Sequence, residues 1–298
     1  MIFHHFSHLI FLMKTSLSHL PPNKQQEISR IVEIIREVVQ PEKIILFGSY
    51  AKGTFVEHRY HTKDGIDNEY ISDYDFLVVT KESPEKPYLQ ESTILDRVDR
   101  YKPPVNLEIH SMAYINDGLS WGQYFFTEIV SEGIVLYATE DSADFIAPRM
   151  LTAEEEKSKA QDYYNIWFAR NEDFLTVAGF CLVENRLKVG AFNLHQAAES
   201  LYYALLLVFT GYKPRVHNLW KLRKKTKQYS EALFLIFKVE SDKQEEHLFD
   251  LLKRGYIDAR YKEDYVITRE ELASLIDRVK TMVSLVEKIC RNKIDSLG

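Results

Sequence analysis

The chain has little cysteine. Cys181 and Cys290 stand far apart in 298 residues, with no CxxC pair and no Cys/His spacing of the kind zinc requires. This excludes a disulfide scaffold and a structural zinc fold, and it fits a reducing compartment, so a cytoplasmic location is expected. No stretch approaches the roughly 18 consecutive apolar residues a membrane span needs, and no membrane partner is expected. Positive charge is not in excess either: Lys+Arg 38 against Asp+Glu 44 leaves a formal net charge of -6. That balance argues against broad electrostatic binding to nucleic acid, so RNA is a partner that the charge does not indicate. There is no internal repeat and no low-complexity tract.

What is present is a globular composition, 45% apolar, in a chain long enough for two domains with a core in each. The opening "MIFHHFSHLIFLM" (1–13) is apolar, but it lacks a basic n-region, is broken by Ser7 and His8, and meets no small-residue cleavage site. A start at Met13 or a docked N-terminal tail is expected instead of a signal peptide. The basic run "KPRVHNLWKLRKKTK" (213–227) reads as a solvated loop and helix face.

Periodicity organises the rest. In "NKQQEISRIVEIIREVVQ" (23–40), Ile28, Ile31, Ile34, Ile35 and Val38 recur at three- and four-residue steps, which predicts an amphipathic helix stopped by Pro41. A strand "KIILF" follows, and the Gly48-Ser49 turn opens a short helix. The stretch 54–71 is polar and aperiodic and reads as an inserted loop, long enough to be functional or mobile. After it come a strand "YDFLVV", a helix "YLQESTILDRVDRY", an alternating strand "VNLEIHSM", a helix "WGQYFFTEIVSEG" and a strand "IVLY". This order predicts an α/β domain at 23–140, a small mixed sheet with helices, behind an N-terminal extension at 1–22. A linker is expected at 141–151. From Thr152, a helix N-cap with Glu155 three residues later, strand signals give way to an all-α bundle at 152–292. Its long helical segments are one that ends at Gly211, one over 243–257 and one over 268–291.

Chemistry concentrates where strands end. In "SDYDF" the carboxylates of Asp73 and Asp75 are one residue apart, so on a strand both project from one face while Tyr74 points the other way. Two like charges side by side are costly unless a cation lies between them, and Mg²⁺ takes such oxygen ligands. A third acid, Glu108, alternates with Leu107 and Ile109 and shares its face with Asn106 and His110; if its strand neighbours "YDFLVV", three carboxylates converge. The glycine of Gly48-Ser49 permits close backbone approach, and its amides with the Ser49 hydroxyl suit a phosphate. Lys52 is the nearest cation to that cradle, either touching the phosphates or lying on the surface. A phosphate cradle beside metal-binding acids implies nucleotide chemistry.

The order "LFGSYAKG", "SDYDFLVV", "NLEIH" resembles the nucleotidyltransferases of the DNA polymerase β type, particularly the minimal prokaryotic ones, over residues 25–139. The resemblance implies that Asp73 and Asp75 hold Mg²⁺, that Gly48 and Ser49 hold a triphosphate, and that Glu108 completes the metal site or activates the acceptor. The implied activity is transfer of NMP from an NTP, ATP first, to a hydroxyl. This chain departs from the family in the longer stretch between Gly48-Ser49 and Asp73, and in a glutamate as third acid.

In the helical half, "HQAAE" (195–199), Gly211, "HNL" (217–219) and "YIDARY" (256–261) resemble the HEPN domain, which is often fused to minimal nucleotidyltransferases. The resemblance implies a homodimer through the bundle and a nucleotide or polar ligand near His195, Glu199 and Arg260. Many HEPN proteins cleave RNA with an arginine and a histidine four to six residues further on. Here Arg215 and His217 are two apart, and neither Arg254 nor Arg260 has a histidine downstream. His195 and Glu199 share a helix face and with His217 make either a metal site or, the expected reading, a buried His-Glu hydrogen bond between helices. Tyr202, Tyr203 and Phe209 are expected in the core or a dimer contact, not as a base-stacking platform. Several activities stay open at this level: a nucleotidyltransferase, of a toxin-antitoxin pair or acting on RNA ends or aminoglycosides; a HEPN RNase regulated by the first domain; and a silent nucleotide sensor.

Overall fold

A computed structural model describes residues 13–61, 67–83, 86–101, 103–214 and 216–297. The chain divides into two compact units, the first running to Met150 and the second beginning at Leu151.

The first unit is built on a four-stranded sheet of order β5-β4-β1-β6. Helix α1 (Pro22–Val39) starts with proline at its first position, where no amide hydrogen is needed, and ends at Gln40 in the left-handed conformation just before Pro41. β1 (Lys43–Phe47) leads into the short α2 (Gly48–Lys52). β4 (Tyr74–Thr80) pairs antiparallel with β1, and β5 (Val105–Ser111) pairs parallel with β4 after a crossover through α3 (Pro87–Val98). α4 (Met112–Ser120), α5 (Tyr124–Glu132) and β6 (Ile134–Ala138), antiparallel to β1, close the unit.

Alternation places Ile44, Leu46, Phe76, Val78 and Leu107 on one sheet face, in one core with Ile28, Ile31, Ile35 and Ile94 of α1 and α3. On the other face Ile45 and Leu77 are fully buried, as are Ile115 and Leu119 of α4 and Phe126 of α5. A sheet sandwiched between helices buries both faces, which is why its strands read as nearly continuous apolar runs.

One expectation needs correction. The stretch read as an inserted loop carries a two-stranded antiparallel ribbon, β2 (Glu57–His61) with β3 (Asp67–Ile71), in register from Glu57↔Ile71 to His61↔Asp67. The sequences "EHRYH" and "DNEYI" carry no apolar alternation to announce strands, and the ladder rests on backbone hydrogen bonds. Residues 62–66 of the insertion, like 1–12 of the N-terminal extension, lie outside the described residues.

The second unit is helical. α6 (Ala153–Val183) begins with a capping box in which the Thr152 side chain accepts from the Glu155 amide and Glu155 accepts from the Thr152 amide. The turn through Asn185, at φ 55, folds the chain back into α7 (Leu187–Thr210). α7 is buried at nearly every position from Leu194 to Val208, which makes it the central helix, flanked by α6 and α12 (Arg269–Asp295). α8 (Leu219–Thr226), α9 (Glu231–Phe234), α10 (Lys243–Arg254) and α11 (Asp258–Tyr261) complete the bundle. Tyr202 and Tyr203 sit in its core, and Phe209 packs against it.

The basic run is not wholly solvated. Arg223 is fully buried, its Nε donating to the Phe234 carbonyl (3.1 Å), Nη2 to the Phe237 carbonyl (2.7 Å), and Nη1 and Nη2 to the Glu240 carboxylate (2.8 and 2.9 Å). Among the described residues, no helix is long and apolar enough to cross a membrane.

Candidate functional site

The antiparallel β1–β4 register sets Phe47 opposite Asp75, so the end of β1 that carries Gly48 and Ser49 meets the start of β4 that carries Asp73 and Asp75. Gly48 has φ +72, and a Cβ built on it would lie 2.3 Å from Asp75 Oδ2. Glycine is therefore required twice, for the left-handed backbone and for room beside the carboxylate. On the sheet face opposite Asp75, the Tyr74 ring lies tilted at 4.4 Å from that of Tyr50, which stacks at 4.4 Å on Phe55. The Tyr74 hydroxyl donates to Glu27 of α1 (2.7 Å). The buried rings of Tyr50 and Tyr74, with half-buried Phe55, lock the glycine turn to the acidic strand from below.

The parallel β4–β5 register decides what stands beside the acids. Level with Asp75 is Asn106, and Glu108 is level with Leu77, two residues further on. The Asn106 Nδ2 donates to Asp73 Oδ2 and to Asp75 Oδ1, each at 3.0 Å. Only the NH₂ end of an amide can serve two carboxylates, which fixes its orientation. Asp73, Asp75 and Asn106 are half-buried, whereas Glu108 is 7% exposed and its Oε2 lies 3.4 Å from His110 Nε2, whose ring stacks on Tyr114. The expected convergence of three carboxylates is thus replaced by two carboxylates and an amide, with the third acid one step deeper. Asn106 shares its strand face with Glu108, but only the pairing of β5 with β4 shows it as the partner of both aspartates. Among the described residues, no group of three or more His, Cys, Asp or Glu side chains is arranged to hold a metal ion. Asp73 and Asp75 would be the oxygen donors to a divalent cation at this position, the ligand type that Mg²⁺ takes.

Lys52 Nζ lies 2.5 Å from Glu128 and 3.2 Å from Glu132, both on α5. Hydrogen bonding to Glu128, against some loss from burial, holds its ammonium above the ordinary lysine range. Ser49 follows Gly48 in the single turn of α2, half-buried.

In the helical unit the residues singled out from the sequence gather around Tyr256. The rings of His195 and His217 each lie 5.2 Å from it and nearly parallel, and the Arg260 guanidinium sits 4.7 Å over it. Arg260 Nε also donates to the Tyr256 carbonyl (2.6 Å). His195 is buried, with Nδ1 at 3.0 Å from the Leu252 carbonyl. A carbonyl only accepts, so Nδ1 carries the hydrogen. Its Nε2 is 3.8 Å from Glu199 Oε1, too far for a hydrogen bond, and the carboxylate is met at 2.9 Å by His217 Nδ1. The tie expected between His195 and Glu199 is made by His217 instead, which is half-exposed and brings a third element to the cluster. Arg215 lies outside the described residues.

A search of curated proteins finds no match to this chain. One family model does match, that of the HEPN domain, over residues 164–289, and it leaves the α/β unit unassigned. Residues 164–289, the helical span built around α7, are therefore a HEPN region.

Proposed function

We propose that the α/β unit is a Mg²⁺-dependent nucleotidyltransferase that moves NMP from an NTP, ATP first, to a hydroxyl acceptor, and that the HEPN domain serves dimerisation and the holding of acceptor or ligand. The observation that carries the proposal is the contact between Gly48 and Asp75. A glycine-led turn abuts a carboxylate pair with no side chain between them, so a phosphate on the turn lies beside the acids.

In this reading the Gly48 and Ser49 backbone and the Ser49 hydroxyl orient the triphosphate. Asp73 and Asp75 hold the Mg²⁺, whose chemical contribution is neutralisation of phosphate charge. The acceptor hydroxyl oxygen attacks the α-phosphorus in line and its proton passes to water, while the bond from the α-phosphorus to the β-phosphate oxygen breaks and pyrophosphate leaves. Glu108 lies buried two residues along β5 from Asn106, with its carboxylate facing His110. The acceptor class ranges over a protein side chain, as in toxin-antitoxin pairs, an RNA end, or a small polyol such as an aminoglycoside. The test is incubation with α-labelled NTPs and Mg²⁺ alone and with each acceptor class, comparing wild type with Asp73→Ala/Asp75→Ala. Label on the chain or an acceptor, lost in the double variant, is the expected result; equal label in both refutes the assignment.

A second reading, RNA cleavage by the HEPN domain under control of the first unit, is favoured by one arrangement. Glu199 orients His217 through Nδ1, which leaves Nε2 as a base, and Arg260 stands over the same Tyr256 ring. RNA cleavage that survives the double aspartate variant but is lost in His217→Asn would favour it.

A further inference from the structure

The Asn106 amide does at the mouth of the site what a cation would do. It satisfies one oxygen of Asp73 and one of Asp75 at 3.0 Å each and holds two like charges together while adding no charge. The place it fills is level with Asp75 in the β4–β5 ladder. A carboxylate at that level would complete a three-acid cage. The nearest acid on the strand, Glu108, is instead opposite Leu77, buried and close to His110. The mouth therefore carries two carboxylates where a cage would have three, and divalent-cation affinity rises with the count of charged ligands. The amide hydrogens and a cation also compete for the same oxygen lone pairs. Both effects act against a bare cation, and both are overcome when the incoming cation already carries phosphate oxygens, because a triphosphate seated on the Gly48 turn supplies the missing ligands.

We infer that Asn106 sets the order of loading: the aspartate pair takes its divalent cation only as a complex with a nucleoside triphosphate, and Asn106 is the residue that positions the pair for it. The inference rests on the nucleotidyltransferase reading. It makes the ligand a metal–triphosphate complex and the protein a weak binder of free metal.

The probe is Mn²⁺, titrated into the full chain and followed by the electron paramagnetic resonance of the free ion, alongside calorimetry with α,β-methylene ATP. Wild type is expected to show no saturable Mn²⁺ site up to about millimolar concentration and to bind the analogue only when Mn²⁺ is present. Asn106→Asp is expected to gain a site for Mn²⁺ alone, with affinity higher by about tenfold or more, and its thermal midpoint rises with Mn²⁺ while that of wild type does not. Asn106→Ala, which frees the two carboxylate oxygens but adds no charge, is expected to bind Mn²⁺ alone more tightly than wild type and more weakly than Asn106→Asp, and to weaken the analogue severalfold because the carboxylates are no longer held. A tight Mn²⁺ site in wild type without nucleotide, or an Asn106→Asp or Asn106→Ala chain whose Mn²⁺ binding is indistinguishable from wild type, overturns the inference and leaves the nucleotide reading standing. Failure of wild type to bind the analogue even with Mn²⁺ overturns that reading itself, and the loading order with it.

Discussion

Gly48 and Gly53 flank the same short helix and share the same backbone demand, with φ +72 and +71, yet their surroundings differ. A Cβ at Gly53 meets only His19 Cδ2 at 3.3 Å, whereas one at Gly48 lies 2.3 Å from Asp75 Oδ2, well inside the 3.0 Å that real Cβ atoms respect. An alanine in the left-handed region costs about 1–2 kcal/mol, partly offset by the stiffer unfolded chain, so Gly53→Ala is expected to destabilise the first unit by about 1 kcal/mol. Gly48→Ala adds an overpacking cost of about 1–3 kcal/mol, for a total of about 2–4 kcal/mol. It also pushes Asp75 away from Asn106, so nucleotide affinity falls by more than about tenfold, whereas Gly53→Ala binds normally. Hydrogen exchange of β1 and β4 amides reports the stability of this unit by itself, and calorimetry with a non-hydrolysable NTP reports the site. If both variants lose stability equally and bind nucleotide equally, the close approach of Gly48 to Asp75 does not organise the site.

Other parts of the chain allow equally definite expectations. Breaking a buried ion pair costs about 3–5 kcal/mol, but Glu240 is 43% exposed, so Glu240→Ala should destabilise the HEPN domain by a discounted ~2–3 kcal/mol in chemical denaturation; a loss under about 0.5 kcal/mol contradicts the pairing. Burial pushes the Glu240 carboxyl up, but the hydrogen bonds and charge of Arg223 prevail and hold it below the ordinary range. A depressed folded value means stability that is present above the unfolded value and lost as pH falls through the folded one, an acid-side loss that Glu240→Gln should lack. Burial raises the Cys290 thiol to about 12 and also raises that of Cys181, where Arg186 opposes it. Neither should react with a disulfide reagent at pH 8 until the chain is denatured, and a thiol that reacts rapidly in the native chain would contradict their burial. Lys52→Ala should cost under about 1 kcal/mol and leave nucleotide affinity unchanged, because Glu128 and Glu132 engage the lysine; a large affinity loss would return it to the phosphates.

Local signals made most of the elements legible. The spacing of Ile28, Ile31 and Ile35, the Gly48-Ser49 turn and the alternation in "VNLEIH" mark α1, the β1–α2 corner and β5 within a residue or two of where they lie. The capping threonines Thr152 and Thr268 mark the starts of α6 and α12. What stayed hidden depends on partners distant in the chain. The level of Asn106 beside Asp75, with Glu108 one step deeper, is a property of the parallel register, which no stretch of β5 contains. Arg223 reads as one more charge in a basic run until the end of α9 and the chain after it deliver two carbonyls and Glu240 to it. Tyr256 gathers His195, His217 and Arg260 from separate elements, so the spacing sought between an arginine and a histidine could not reveal them.

The central claim, that the Gly48 turn and the Asp73–Asp75 pair support nucleotidyl transfer, is tested most directly by comparing two labels on one nucleotide. ATP labelled at the α-phosphate and ATP labelled at the γ-phosphate are incubated in parallel with the chain, Mg²⁺ and the acceptor panel. The account predicts α-label on the acceptor or on the chain itself, γ-label only in released pyrophosphate, and neither with Asp73→Ala/Asp75→Ala. Transfer of γ-label to the acceptor, or no transfer of either label with any acceptor, would contradict it.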